Sequence, residues 1–281
     1  MTPHYFAGID IGSTMTKVVI MDEEVIASIV GPTGPEHRRL ADQVMAEALK
    51  QADLPFEAID YIVSTGYGRI NVPFADKQIT EISCHAKGIA HLFPKAKTVI
   101  DVGGQDSKGI KIGSNGKPVN FIMNDKCAAG SGRFLDILAD ALGLDIAELG
   151  PLSLEAKEPA EISNICTVYA EQEVKTKLVE GIPLSDLVAG IHESFANRIF
   201  RMVNRIKVEP DIILTGGVAK NIGFVKAITD KLGHETTVPS EPLLTGALGA
   251  ALLGKDLVEK AMEKGQPLKK QERSLKKIRI L

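Results

Sequence analysis

The sequence lacks the features that mark several large classes of protein. It has no tryptophan and only three cysteines in 281 residues, too few for the disulfide framework of a small secreted domain. A net charge of −3 gives no electrostatic reason to bind nucleic acid or a membrane surface. The longest apolar run, Pro242–Gly254, is too short and too rich in glycine to cross a bilayer. These absences predict a cytoplasmic protein that binds neither nucleic acid nor membrane.

Two stretches of the chain share one pattern, FAGIDIGSTMTKVVIMD at Phe6–Asp22 and TVIDVGGQDSKGIKI at Thr98–Ile112. Each is an apolar strand that ends in an aspartate, Asp10 or Asp101, followed by a turn of small residues and a second apolar run. This pattern is typical of a β-hairpin whose turn faces a ligand. Its repetition predicts an α/β protein with two duplicated domains, each beginning with the same hairpin.

Helical spacing and glycine turns organise the rest of the chain. Apolar residues at helical spacing predict helices over Glu36–Ala52, Ser131–Leu142 and Pro183–Lys207. DIILTGG, at Asp211–Gly217, predicts a buried strand followed by a glycine turn. LLTGALGAALLG, at Leu243–Gly254, predicts a helix of small residues packed closely on its neighbours.

These elements predict three segments. Residues 1–96 form the first domain, residues 97–254 form the second domain, and residues 255–281 form a C-terminal helix and basic tail that packs back on the first domain. Gly265–Leu281 contains six lysines and arginines and one glutamate. Two interpretations of this tail remain open, a basic arm for an acidic partner and a solvated helical extension.

Three glycine turns follow the ends of apolar strands and predict a phosphate-binding site. Glycine lets backbone N–H groups approach a phosphate closely, and hydroxyl and ammonium groups add further donors. In the first turn the expected nucleotide-binding residues are Gly12, Ser13, Thr14, Met15, Thr16 and Lys17. In the second turn they are Gly103 and Gly104, with Gln105 expected to orient an attacking water. In TGGVAKN, at Thr215–Asn221, the residues expected to support the adenosine are Gly216, Gly217 and Lys220.

The two aspartates at the strand ends carry the expected catalytic and metal chemistry. Asp10 and Asp101 are predicted to face each other across a cleft and to hold a hydrated Mg²⁺. No G-x-x-x-x-G-K-[ST] stretch is present, so these turns are not a P-loop. Their order and repetition resemble the superfamily of acetate and sugar kinases, actin and the heat-shock chaperone ATPases. That resemblance implies two actin-like ATPase domains with ATP or ADP bound in a cleft between them.

Two of the three cysteines lie where a strand-like segment passes into a helix. Cys127 is in NDKCAAGSGRF and Cys166 is in ISNICTVYAEQEV. A helix N-terminus offers unpaired N–H groups and a partial positive charge, which favour a thiolate or an anionic metal cluster. An iron–sulfur cluster needs four thiolates, and a symmetric dimer with two copies of these cysteines supplies four. Cys84, in EISCHAKG, is predicted to be a packed thiol, and His85 to be structural.

The segments around these two cysteines resemble those of a known family, the ATP-dependent activators of 2-hydroxyacyl-CoA dehydratases and the related benzoyl-CoA reductase ATPase subunits. The family's CAAG-[ST]-GRF is present as Cys127–Phe134, and its CTV-[FY]-AE as Cys166–Glu171. The resemblance implies a homodimer with one [4Fe–4S] cluster held between its subunits. It also implies that ATP hydrolysis drives an electron from ferredoxin or flavodoxin through that cluster to a dehydratase, for example 2-hydroxyglutaryl-CoA dehydratase.

Three other interpretations of the sequence remain open. A small-molecule kinase of the same superfamily would transfer phosphate to an acceptor and would not need Cys127. A non-catalytic ATP sensor would gate a partner with negligible turnover. An ATP-dependent reductase of a different iron–sulfur partner would use the same residues for another enzyme.

Overall fold

The computed structural model describes residues 4–163 and 166–275. These residues form two units, each with its own mixed β-sheet and covering helices. The first unit contains 4–94, 114–118 and 243–275, and the second contains 95–113, 119–163 and 166–242. Within these described ranges, no helix is long and apolar enough to cross a membrane.

The first unit is built on a five-stranded sheet in the order β3-β2-β1-β4-β5. The strands are β1 (Tyr5–Ile11), β2 (Met15–Met21), β3 (Val25–Pro32), β4 (Ile59–Thr65) and β5 (Lys77–Gln78). β2 is antiparallel to both β1 and β3, whereas β4 is parallel to both β1 and β5. The helices of this unit are α1 (His37–Ala52), α2 (Glu81–Leu92) and the last helix of the chain, α8 (Thr245–Glu263).

The second unit repeats this strand order. Its sheet, β8-β7-β6-β9-β10, consists of β6 (Thr98–Val102), β7 (Ser107–Ile112), β8 (Pro118–Asn124), β9 (Ile212–Thr215) and β10 (Thr236–Thr237). β7 is antiparallel to β6, and β9 is parallel to both β6 and β10. Its helices are α3 (Arg133–Leu142), α4 (Ile146–Ser153), α5 (Thr167–Val179), α6 (Leu184–Val203) and α7 (Ile222–Leu232). The shared strand order confirms the α/β class and the duplication that the repeated hairpin predicted.

The core of the second unit forms around α6. The buried ring of Phe195 on α6 contacts those of Phe134 on α3 and Phe224 on α7, with centroids 5.6 and 5.0 Å away. Burying a side chain of this size contributes about 1.5–3 kcal/mol. These contacts hold α6 firmly and thereby orient its polar side chains. The helix ends at Val203, before the predicted Lys207, because the chain tightens there into a 3-10 turn.

The helix α8 belongs to the first unit, whereas the sequence prediction placed residues up to 254 in the second domain. A Cβ on Gly249 of α8 would overlap the carbonyl oxygen of Cys84 on α2. A Cβ on Gly8 of β1 would overlap the carbonyl oxygen of Ala247 on α8. The predicted close packing of this small-residue helix is therefore present, and the boundary between the units falls before α8.

The segment after α8 packs on the first unit as far as Leu275. It is neither helix nor strand between 266 and 275, so the interpretation as a helical extension is wrong for these residues. Arg273 forms a 2.6 Å ion pair with Asp76, and Leu275 packs against the apolar core beside the sheet. Three other basic residues of the tail lie outside the described residues, namely Lys276, Lys277 and Arg279.

Candidate functional site

The first predicted phosphate turn connects β1 to β2. The N–H of Gly12 donates to the carbonyl oxygen of Met15 at 3.0 Å, which closes the turn. Ser13 is half-buried and Thr14 is exposed. A Cβ on Gly12 would lie 3.2 Å from Nζ of Lys17, so the ammonium lies beside the turn. This arrangement suits an anion contacted by backbone, hydroxyl and ammonium groups.

Asp10 lies near the end of β1, directly opposite Lys17 of β2. Its side chain is 6% exposed, and its Oδ2 lies 3.0 Å from the lysine Nζ. Gly66, after β4, has a φ of 82°, and a Cβ there would overlap Oδ1 of Asp10. A Cβ on Gly246 would lie 3.1 Å from Oδ2 of Asp10 and 3.2 Å from Nε2 of His85. The Asp10 carboxylate is thus held beside the Lys17 ammonium. Glycine at positions 66 and 246 avoids a collision between a larger side chain and this carboxylate.

One predicted member of the first turn faces the interior. Thr16 is fully buried, and its hydroxyl oxygen lies 2.8 Å from that of Thr33 after β3. The N–H of Thr33 also donates to the carbonyl oxygen of Thr14 at 2.7 Å. The Thr16 hydroxyl is therefore buried against Thr33, and the turn itself presents only the hydroxyls of Ser13 and Thr14.

The second predicted phosphate turn, between β6 and β7, has the same bonds as the first. The N–H of Gly103 donates to the carbonyl oxygen of Asp106 at 2.9 Å. Asp101 faces Lys108 across the hairpin, with 3.4 Å between Oδ2 and Nζ, and both side chains are buried. Lys108 also forms a 2.8 Å ion pair with Asp106. Gln105 is exposed at the turn, a position open to water.

Three segments of the second unit meet at this turn. The N–H groups of Gly132 and Arg133 donate to the carbonyl oxygens of Gly103 and Gly104 at 2.8 and 2.9 Å. A Cβ on Gly132 would lie 3.0 Å from both the Gly103 oxygen and Cγ2 of Val218, which follows β9. The second predicted phosphate turn, the start of α3 and the predicted adenosine loop are therefore packed together.

The end of β9 carries the third predicted turn. Oγ1 of Thr215 donates to Oδ1 of Asp101 at 2.9 Å, which joins β9 to the aspartate of β6. Gly216 has a φ of 86°, a conformation that favours glycine, and its N–H donates to the carbonyl oxygen of Pro242 at 3.0 Å. The 3-10 helix Gly217–Lys220 follows, and both of its end residues are exposed. This turn therefore lies beside Asp101 and presents residues to solvent.

Cys127 lies between β8 and α3 and is half-buried. The 3-10 helix Ala128–Gly130 follows it and leads to α3. Nη2 of Arg198, on α6, donates to Sγ of Cys127 at 3.1 Å. Nδ2 of Asn124, at the end of β8, donates to the Cys127 carbonyl oxygen at 2.9 Å. The thiol is therefore positioned from both β8 and α6.

The other two cysteines differ sharply in environment. Cys166 is half-buried immediately before α5, and its carbonyl oxygen accepts from the N–H of Ala170 at 3.0 Å. Cys84 is fully buried on α2, and burial raises the pKa of its thiol to about 12, which keeps it protonated. Among the described residues, no group of three or more His, Cys, Asp or Glu side chains could hold a metal ion. One chain therefore offers two half-buried cysteines, Cys127 and Cys166, as possible ligands.

Residues 7–254 match the BadF/BadG/BcrA/BcrD ATPase family. The chain belongs to this family. It is therefore an ATP-hydrolysing enzyme, and its two sheets with their repeated hairpins form the actin-like ATPase fold.

Two relatives and one solved structure are similar to this chain over most of its length. It is 46% identical over 259 residues to the 2-hydroxyisocaproyl-CoA dehydratase activator of Clostridioides difficile, covering 90% of this chain and 95% of that protein. It is 42% identical over 256 residues to the (R)-2-hydroxyglutaryl-CoA dehydratase activating ATPase of Acidaminococcus fermentans, covering 88% and 96%. The structure of the Clostridium difficile activator with bound ADPNP matches with a TM-score of 0.86 at 43% identity, covering 94% and 99%.

Three side chains beside the predicted site residues were not predicted from the sequence. Lys108 and Thr215 contact Asp101, and Arg198 contacts Cys127. Lys108 had a signal, because aspartate and lysine stand seven residues apart in both DIGSTMTK and DVGGQDSK. Arg198 had no local signal, because 71 residues separate it from its cysteine.

Proposed function

We propose that this ATPase is a one-electron reductase that activates a 2-hydroxyacyl-CoA dehydratase. An electron would pass from ferredoxin or flavodoxin, through a cluster shared by two copies of the chain, to the dehydratase. The names of the relatives support such a partner. The observation that carries the proposal is the short connection from Cys127 to Arg133, which links a half-buried thiol to the second phosphate turn.

The predicted nucleotide residues have defined roles in this proposal. The phosphates are held by Ser13, Thr14, Lys17, Gly103 and Gly104, and the adenosine by Gly216, Gly217 and Lys220. Gln105 orients the attacking water.

Asp10 and Asp101 fit Mg²⁺ because both are buried carboxylates beside a glycine turn. A lysine already lies 3.0 Å from one and 3.4 Å from the other, so each is expected to bind the ion through its water molecules. Mg²⁺, when bound, supplies positive charge against the transferred phosphoryl group.

Cys127 and Cys166 fit a [4Fe–4S] cluster in donor type and in surroundings. Both thiols are half-buried, so a second copy of the chain can reach them. Cys166 lies at the N-terminus of a 13-residue helix, whose unpaired N–H groups favour negative charge. Two copies of the chain supply the four thiolates that such a cluster needs, and the cluster, when bound, stores one electron. Cys84 does not fit, because its thiol is buried and stays protonated.

The start of α3 would couple ATP hydrolysis to Cys127. Loss of the γ-phosphate changes which groups the second turn contacts. The hydrogen bonds from Gly132 and Arg133 tie α3 to that turn, so a displacement of the turn moves the residues that follow Cys127. Hydrogen bonding and solvent exposure at the cysteine sulfur are two determinants of a cluster's reduction potential.

The first test is the iron and acid-labile sulfide content of protein purified without oxygen, measured with its visible spectrum. We expect about four irons per dimer, from the four-thiolate requirement. Cys127→Ser and Cys166→Ser should each abolish the cluster, whereas Cys84→Ser, as the matched control, should keep it. A colourless, iron-free wild-type dimer after anaerobic reconstitution would refute the proposal and favour the kinase, which a screen of phosphate acceptors would then test.

The same preparation tests the partner. With reduced ferredoxin and ATP it should activate 2-hydroxyglutaryl-CoA dehydratase, and the Cys127→Ser variant should not. A protein that carries the cluster and hydrolyses ATP but activates no 2-hydroxyacyl-CoA dehydratase would instead be a reductase of a different iron–sulfur partner. Negligible ATP turnover with every partner would identify a sensor.

A further inference from the structure

Arg198 has a contact that the roles described above do not use. Its Nη2 lies 3.1 Å from Sγ of Cys127, and Arg198 belongs to α6, not to the segment that leads from Cys127 to α3. We propose that Arg198 is a positioning residue that raises the reduction potential of the cluster bound at Cys127. This inference rests on the proposed function, because it requires that Cys127 ligates a cluster.

The surrounding backbone is shaped to keep this contact. The Cys127 carbonyl oxygen accepts from Nδ2 of Asn124 at 2.9 Å and from the N–H of Gly130 at 3.0 Å. A Cβ on Gly130 would lie 2.6 Å from Nδ2 of Asn124 and 3.4 Å from Nε of Arg198. The turn after Cys127 therefore lies against the Arg198 side chain, and its glycine leaves the space that the Asn124 amide needs.

The helix that carries Arg198 is held by the core of the second unit. Arg198 lies between Phe195 and Ile199 on α6, both of which are buried. Because these neighbours fix the helix, the arginine starts from a rigid backbone position and its planar group reaches the sulfur without displacing the helix. A mobile surface arginine would lack this support.

The charge of Arg198 acts on the reduced cluster more than on the oxidised one. A four-thiolate cluster is anionic, and one added electron increases its negative charge by one. The guanidinium stays protonated throughout, so its attraction and its N–H···S bond favour the reduced form. Two copies of the chain would place one such arginine at each of the two Cys127 ligands. Arg198 would therefore make the cluster easier to load from a donor.

The cavity beside Arg198 provides a matched control. Arg198, Arg201 and Arg205 line one cavity of about 290 Å³, together with Met123 and Met202. Arg201 and Arg205 are exposed, and no bond from either to Cys127 is present among the described residues. Replacing Arg201 therefore removes an equal charge from the same cavity without removing a bond to sulfur.

The test compares Arg198→Met, Arg198→Lys and Arg201→Met after anaerobic reconstitution. The readout is the midpoint potential of the cluster, from a redox titration followed by visible and electron paramagnetic resonance spectra. Arg198→Met should lower the ratio of reduced to oxidised cluster at fixed potential at least tenfold, a shift of about 59 mV for one electron. Arg198→Lys, which keeps the charge, should shift the potential less, and Arg201→Met less still.

Each outcome decides the question. Equal potentials in wild type and Arg198→Met, or equal shifts in Arg198→Met and Arg201→Met, would overturn the role of Arg198 and leave the proposed function intact. If Arg198→Met fails to hold iron, Arg198→Gln decides, because it keeps a polar side chain but removes the charge, and an unshifted potential there would also overturn the role. A wild-type protein that binds no cluster would refute the proposed function itself.

Discussion

Arg273 should contribute far more to stability than an ordinary surface cation. Its side chain is 9% exposed and forms a 2.6 Å ion pair with Asp76, whose side chain is 0% exposed. The guanidinium also donates to the carbonyl oxygens of Ile59, Phe74 and Asp60 at 3.2, 3.2 and 3.3 Å. Arg273→Met would keep an apolar chain in this space but remove the charge and every one of these bonds.

The expected cost follows from the burial of the remaining carboxylate. Removing one partner of a buried ion pair costs about 3–5 kcal/mol, because the other charge is left uncompensated. Asp76 would keep two backbone donors, the N–H groups of Ile62 at 2.7 Å and Gln271 at 2.6 Å. We therefore expect the lower end of that range, about 3 kcal/mol, or roughly a hundredfold change in the unfolding equilibrium.

Urea unfolding followed by circular dichroism would measure this cost. Lys270→Met is the matched control, because Lys270 is in the same segment and forms a 3.2 Å pair with Asp60 that is largely solvated. That change should cost about 0–1 kcal/mol. Arg273→Met should also cost less in an Asp76→Asn background, where no charge is left behind. Equal costs for Arg273→Met and Lys270→Met, or an unchanged cost beside Asp76→Asn, would refute the reasoning.

Three further changes test other parts of the structure. Burial lowers the pKa of His192 from 6.5 to about 4, so the unfolded chain binds a proton in this range that the folded chain does not. Stability should fall by about 3 kcal/mol as pH drops from 6.5 to 4, and His192→Gln should remove this slope in urea unfolding. Gly249→Ala should lower Tm, measured by circular dichroism, because overpacking against the Cys84 carbonyl costs about 1–3 kcal/mol or more and outweighs a helix-propensity gain of about 1 kcal/mol. Gly132→Ala should slow steady-state ATP hydrolysis, because its Cβ would lie 3.0 Å from the Gly103 oxygen and displace the second turn. Unchanged pH dependence, Tm or turnover would contradict the respective prediction.

The parts of the fold that depend on neighbouring residues were predictable from the sequence. The two hairpins are strand–turn–strand patterns, and their aspartates, Asp10 and Asp101, occupy the same register opposite a lysine. The helix predicted over Glu36–Ala52 is present as α1, which begins at His37. In each case the pattern and the contacts that stabilise it lie within a few residues of each other.

The parts that depend on distant residues were not predictable. The small residues of Leu243–Gly254 predict close packing but do not say which sheet the helix covers. In the sequence, Arg273 is one of several basic residues in the tail, and nothing near it indicates that it is buried in an ion pair with Asp76. Arg198 likewise looks like an ordinary helix arginine until Cys127 is placed beside it. Long-range pairing decides these roles, and a single sequence does not display it.

The position of α8 has a consequence for how the protein is made. Gly8 of β1 packs against Ala247, so the strand is covered by a helix that is synthesised much later. About 240 residues separate the two, which at 5–20 residues per second takes roughly 10–50 s on the ribosome. During that time one apolar face of the first sheet, including Phe6 and Val63, has no helix over it. The nascent chain should therefore depend on chaperones until α8 emerges, and release of a chain shortened before α8 should yield aggregate.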